Sequence, residues 1–189
     1  MTTTTTAIKI SINDFSTFLM NKGSAKMTAV EKIKNRPPYE QAFDYWKKLR
    51  DFIVKYHLKG TTDKKELDKV LLTVSDKKQG SYTDMIRFYK KFLGRKEIKY
   101  TPISSRKWSN KNLVIAVNPE LMLEIKGISY IIKLHFKKDK LTQRTIESTL
   151  TLLKDVYASE IAEGAEVGVL DIRHNKLFTP KNPKDLMPL

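Results

Sequence analysis

Apolar residues recur every three or four positions through the first half of the chain and at every second position in a later stretch. The first period marks helices with one buried face, the second strands. Ile12, Phe15, Phe18 and Leu19 form a stripe over Ser11 to Asn21, opened by Ser11-x-x-Asp14 in the manner of a capping box. A second helix is expected from Thr28, with Glu31 three residues on, and Pro37-Pro38 ends it. The clearest helix runs from Tyr39 to Leu58. Tyr39, Phe43, Trp46, Leu49, Phe52 and Ile53 fall three or four apart and read as a core face, and Gly60 ends the element. Asp63-x-x-Glu66 starts another helix, with Leu67, Val70 and Leu71 inward. Ser81 to Gly94 follows, capped by Ser81, with Met85, Tyr89, Phe92 and Leu93 inward.

The period then shortens. Glu97 to Ile103 reads as a strand and Ser104 to Asn110 as a polar loop. From Asn112 to Lys138 three runs rich in Val, Ile, Leu, Tyr and Phe are separated by Asn118-Pro119 and Lys126-Gly127. Strands over 112–117, 120–126 and 129–137 are expected to form one antiparallel meander. If Lys126 and Gly127 are the centre of a type I′ turn, Ile125 pairs with Ile128, Leu121 with Ile132, and Glu120 lies beside Lys133. A helix over about 141–160, with Ile146, Leu150, Leu153 and Tyr157 inward, and a strand at 166–171 complete the pattern. Residues 1–75 are expected to form an N-terminal helical region and 76–189 a core with an irregular tail. The fold class is α/β (α+β in detail), a helical bundle packed on a mixed sheet.

A chain of 189 residues, 40% hydrophobic and 30% charged, can bury a sizeable core. No apolar run approaches a membrane span, and no signal-peptide pattern is present, so a cytoplasmic protein with no membrane partner is expected. Without cysteine there is no disulfide framework and no thiolate zinc site. His57, His135 and His174 have no metal-ligand spacing, and the seven glycines make no phosphate-cradling loop.

Charge changes the picture more. The net formal charge is +15, and residues 76–111 hold 11 basic side chains against 3 acidic ones. A surplus of this size points to a polyanionic partner. Arg87, Lys90, Lys91, Arg95, Arg106, Lys107 and Lys111 are the candidate phosphate contacts, with DNA and RNA both open. Arg87, Lys91 and Arg95 stand four apart, on a helix face other than the apolar one.

The order of elements from residue 81 to 172 is helix, three strands, helix, strand. Pro119-Glu120 opens the second strand and Lys133 lies in the third. This α-β-β-β-α-β order with those residues resembles the core of the PD-(D/E)XK nuclease-like superfamily. The resemblance implies that Glu120 would bind a divalent metal and that Lys133 would orient or activate the attacking water. It also implies an acid two residues before the lysine, where this chain has Ile131. Glu124, on the face of Glu120, is the candidate replacement. Glu120, Glu124 and Lys133 are thus the candidate catalytic residues, and an ordinary cross-strand ion pair is the competing reading of Glu120 and Lys133. The expected function is nucleic-acid binding without catalysis and without a cofactor. The alternatives are a divergent Mg²⁺-dependent nuclease and an adaptor for an acidic protein partner.

Overall fold

The structure, a computed structural model, describes residues 7–36 and 44–180. Its elements in order are β1 (Ile8–Ser11), α1 (Ile12–Met20), α2 (Ser24–Lys34), α3 (Lys47–Leu58), a 3-10 helix (Lys64–Thr73), α4 (Asp76–Leu93), β2 (Ile98–Thr101), β3 (Arg106–Asn110), β4 (Leu113–Val117), β5 (Leu121–Ile125), β6 (Ile128–His135), α5 (Gln143–Val156), α6 (Ala158–Ala162), β7 (Glu166–Asp171) and β8 (Lys176–Phe178). The architecture is α+β with two mixed sheets. No helix among the described residues is long and apolar enough to cross a membrane.

The larger sheet has strand order β2-β5-β6-β7-β8. β6 and β7 are parallel, joined through α5, and every other neighbouring pair is antiparallel. The hairpin β5–β6 has the register expected from its turn: Ile125 faces Ile128 and Leu121 faces Ile132. Lys126 and Gly127 have φ of 54° and 79°, the left-handed pair a type I′ turn requires. Alternation along these strands divides the core. Leu121, Leu123, Ile132, Leu134 and Phe136 pack against α3, the 3-10 helix and α4. Ile131, Val167 and Val169 pack with α5, β4 and Ile12 of α1 on the opposite face. At Gly168 of β7 a Cβ would stand 2.9 Å from Cδ1 of Leu177 on β8, so a larger residue there would make that side chain shift.

The expected meander is corrected at its first strand. Residues 113–117 form β4, which pairs with β3 and, in parallel, with β1 in a separate three-stranded sheet. β2 takes the place beside β5 instead. Ile115 and Val117 are fully apolar and find their cover in the α5 layer, so β4 leaves the sheet that β5 continues. Residues 106–110, expected as a loop, are the edge strand β3. Its exposed side leaves Lys107 and Ser109 in solvent, which gives it a polar sequence.

Several helix boundaries also move. Ser11 caps α1 with the reciprocal Asp14 contact of a capping box, as expected. α2 begins at Ser24 rather than Thr28, and α4 begins at Asp76, so Ser81 lies inside the helix and Ser75 holds the N-cap position. The segment opened by Asp63 is a 3-10 helix, with Leu67 and Val70 inward as expected. α3 begins at Lys47 rather than at Tyr39: Tyr45 and Trp46 are a turn, with Trp46 at the N-cap position, Leu49 and Ile53 are fully buried, and Tyr39 and Phe43 lie outside the described residues. The helices before residue 75 divide between the two faces of the large sheet. α3 and the 3-10 helix join α4, and α1 sits with α5.

One buried group has a titration consequence. His57 on α3 faces the Tyr89 hydroxyl of α4 at 2.6 Å, and burial lowers its pKa to about 4. Burial also holds the Tyr89 hydroxyl protonated, so it donates to a neutral imidazole. In the unfolded chain the same histidine takes a proton near pH 6.5. Between pH 6.5 and 4 the unfolded state therefore binds more protons, and stability falls as pH falls. The full loss at pH 4 should be on the order of 3 kcal/mol. Urea unfolding at a series of pH values should show this slope, and His57→Gln should flatten it.

Candidate functional site

Three residues of loop, Asn118 to Glu120, carry the chain from β4 into β5 and set Glu120 at the end of the large sheet. Its backbone N–H donates to Ile132 O at 3.1 Å, which extends the β5–β6 ladder by one bond and fixes Glu120 beside Lys133. The Lys133 ammonium donates to Glu120 Oε1 at 2.5 Å and to Asn118 O at 2.9 Å. Glu120 Oε2 accepts from the Leu134 backbone N–H at 2.7 Å. Arg50 Nε, reaching over from α3, lies 3.8 Å from Oε1 and also pairs with Asp44. The two side chains of the central pair are only 5% and 8% exposed. The expected neighbours do meet, as a buried, hydrogen-bonded ion pair.

This donor set does not fit a divalent cation. Such ions ask for several oxygen ligands around an accessible position. Both carboxylate oxygens of Glu120 already accept from cationic or N–H donors. Ile131, at the position of the second acid, is fully buried among Val167, Val169 and Leu150. Glu124 shares a face with Glu120 but lies four residues along, roughly 13 Å at strand rise, and pairs with Lys99 at 3.0 Å. The two acids therefore cannot share an ion. Among the described residues no group of three or more His, Asp or Glu side chains could hold one.

The same end of the sheet carries polar groups with no motif to announce them. Asp171, at the end of β7, is 2% exposed and faces His135 across the strand pair. Its two oxygens accept from the backbone N–H of His174 at 3.1 Å and from His174 Nδ1 at 2.8 Å, closing the β7–β8 turn. His135 is held below its usual pKa, chiefly by burial. A cavity of about 30 Å³ between α1, β6 and α5 is lined by Lys133, His135, Lys137, Ser16 and Thr149. That is room for about one water, not for a substrate.

The seven basic candidates separate into three situations. Arg106 is structural: it makes two contacts to Glu160, donates to Val156 O at 3.0 Å, and stacks over the Tyr157 ring. Burial pushes that Tyr157 hydroxyl up to about 12, and it donates to Ser104 O at 2.6 Å. Arg87 pairs with Asp84 at 2.9 Å and Lys90 with Asp68 at 2.6 Å. Lys91, Arg95, Lys107 and Lys111 are exposed and make no ion pair among the described residues. They do not form one surface. Lys91 and Arg95 belong with α4 on one side of the large sheet, while Lys107 and Lys111 belong to the β3–β4 hairpin beside α5. Arg95 also lies past the end of the helix, because Gly94 at φ 52° turns the chain away.

No protein-family model, no curated protein and no solved structure matches this chain.

Proposed function

We propose that this chain is a nucleic-acid-binding protein on a PD-(D/E)XK-like core, and that it binds without cleaving. The carrying observation is uncompensated charge at α4. Among the described residues Lys91 and Arg95 are exposed and without an ion pair, Arg87 is tied to an exposed Asp84, and the chain as a whole carries +15. Cations of this kind neutralise backbone phosphates and release counterions whatever the base sequence. The strand order supports the core. α4, then β2, β5 and β6 in antiparallel succession, then α5 and a parallel β7, keep the helix, three strands, helix, strand order, with β2 in the role first given to residues 112–117. The β3–β4 hairpin is then an insertion between the first two strands.

The sealed state of Glu120 supports the absence of metal chemistry. A hydrolytic site needs a cation held by fixed oxygens beside a water. Here the lysine and the acid satisfy each other. Incubation with single- and double-stranded DNA and RNA, in Mg²⁺ and in Mn²⁺, should retard the nucleic acid and leave it uncut. Cleavage that is lost in both Glu120→Gln and Lys133→Ala, with folding intact, would contradict the proposal.

A further inference from the structure

A groove of about 310 Å³ lies where the end of α4 meets the β5–β6 turn, at the opposite end of the large sheet from Glu120. The five residues of β5 separate the two places by roughly 17 Å at strand rise. Four cations line the groove, Arg95, Lys96, Lys99 and Lys126, against Glu97 and Glu124.

Ordinary structural roles account for part of this crowd. Lys64 and Lys96 donate to Gly94 O and Phe92 O, the orphan carbonyls at the end of α4, where cations are favoured. Lys99 pairs with Glu124. Arg95 and Lys126 have no hydrogen bond or ion pair among the described residues, and no structural role of this kind covers them. Lys126 is further marked by its backbone. It holds φ 54° in a turn position that favours Asn, Asp or Gly, so a lysine there works against the local preference. The Lys96 ammonium stands in the field of both Lys126 and Lys64, and its pKa is lowered by burial first and then by those two charges. Like charges gathered without an anion repel, and an anion among them removes the repulsion.

We infer that this groove seats a backbone phosphate of the bound nucleic acid, held by Arg95 and Lys126 with Lys96 behind them. The inference rests on the nucleic-acid reading and places one end of the interface. From Lys91 the contact would run off the end of α4 into the groove. The interface would then avoid the sheet end that holds Glu120 and Lys133.

The test compares three full-length proteins: the wild type, Arg95→Gln/Lys126→Asn, and a control, Lys22→Ala/Lys34→Ala. Both variants remove two exposed charges, and Asn keeps the left-handed turn acceptable. Binding to a labelled random-sequence DNA duplex and to single-stranded RNA is read by anisotropy across a salt series. The groove variant should bind about tenfold more weakly at about 50 mM salt, with a slope of log K on log salt shallower by roughly 2. The control should stay within about threefold of the wild type, since screening confines distant charge effects. Groove and control variants that weaken equally, or a groove variant that binds like the wild type, would overturn the groove and leave the nucleic-acid reading standing. A wild type that binds neither probe would remove both.

Discussion

Replacing Glu120 with Ala should destabilise this protein by about 3–5 kcal/mol, the usual cost of removing one partner from a buried ion pair. The reason is local. Lys133 has two acceptors, Glu120 Oε1 and Asn118 O, and its side chain is 5% exposed. Without the carboxylate an ammonium stays buried on one carbonyl, and the Leu134 N–H loses its acceptor as well. Lys133→Met should cost less, because Glu120 keeps the Leu134 N–H and the Arg50 guanidinium at 3.8 Å. The double variant Glu120→Ala/Lys133→Met should lose less than the sum of its singles, with a coupling of roughly 1–3 kcal/mol for residues in direct contact. Urea unfolding measures all three. A carboxylate kept for chemistry behaves differently, since active-site residues are often held at a cost and their removal stabilises the fold. A Glu120→Ala protein as stable as the wild type, or more so, would contradict the structural reading of the pair.

The pair was legible in the sequence because three local signals agreed. Lys126-Gly127 marked a two-residue turn, alternation set the faces, and counting back placed Glu120 beside Lys133. Local signals also identified the Ser11 cap and the inward faces of α3 and α4. What they did not carry is the choice of partner strand. β4 is a short apolar run that precedes β5 by a short loop, so chain adjacency suggests pairing, yet the free edge of β5 is taken by β2 and β4 is drawn to the α5 layer. β3 was hidden by its position, because an edge strand with an exposed face reads as a polar loop. Long-range ion pairs were invisible for a similar reason. Nothing near Arg106 announces Glu160, which lies 54 residues away in the chain. The groove at Lys126 is half visible in the sequence, which carries its turn but not the charges that α4 and β2 bring to it.

Nucleic-acid affinity should depend steeply on salt. Arg87, Lys91, Arg95, Lys96 and Lys126 give about five cations along α4 and its end, and five neutralised phosphates on duplex DNA give a slope of log K on log salt of roughly −4 to −5. Changing Arg87, Lys91 and Arg95 together to Ala should flatten that slope and weaken every sequence alike, because phosphate contacts carry no base information. Between about 50 and 200 mM salt the wild type should lose about three orders of magnitude or slightly less in affinity. An adaptor for an acidic protein would not bind random duplexes with such a slope. The measurement closest to the central claim is therefore the affinity of the wild type for a random-sequence DNA duplex and a single-stranded RNA across that salt range, without added metal. Binding is expected at the low end, falling with the stated slope on the duplex. No measurable binding to either at about 50 mM, where the electrostatic attraction is strongest, would contradict it.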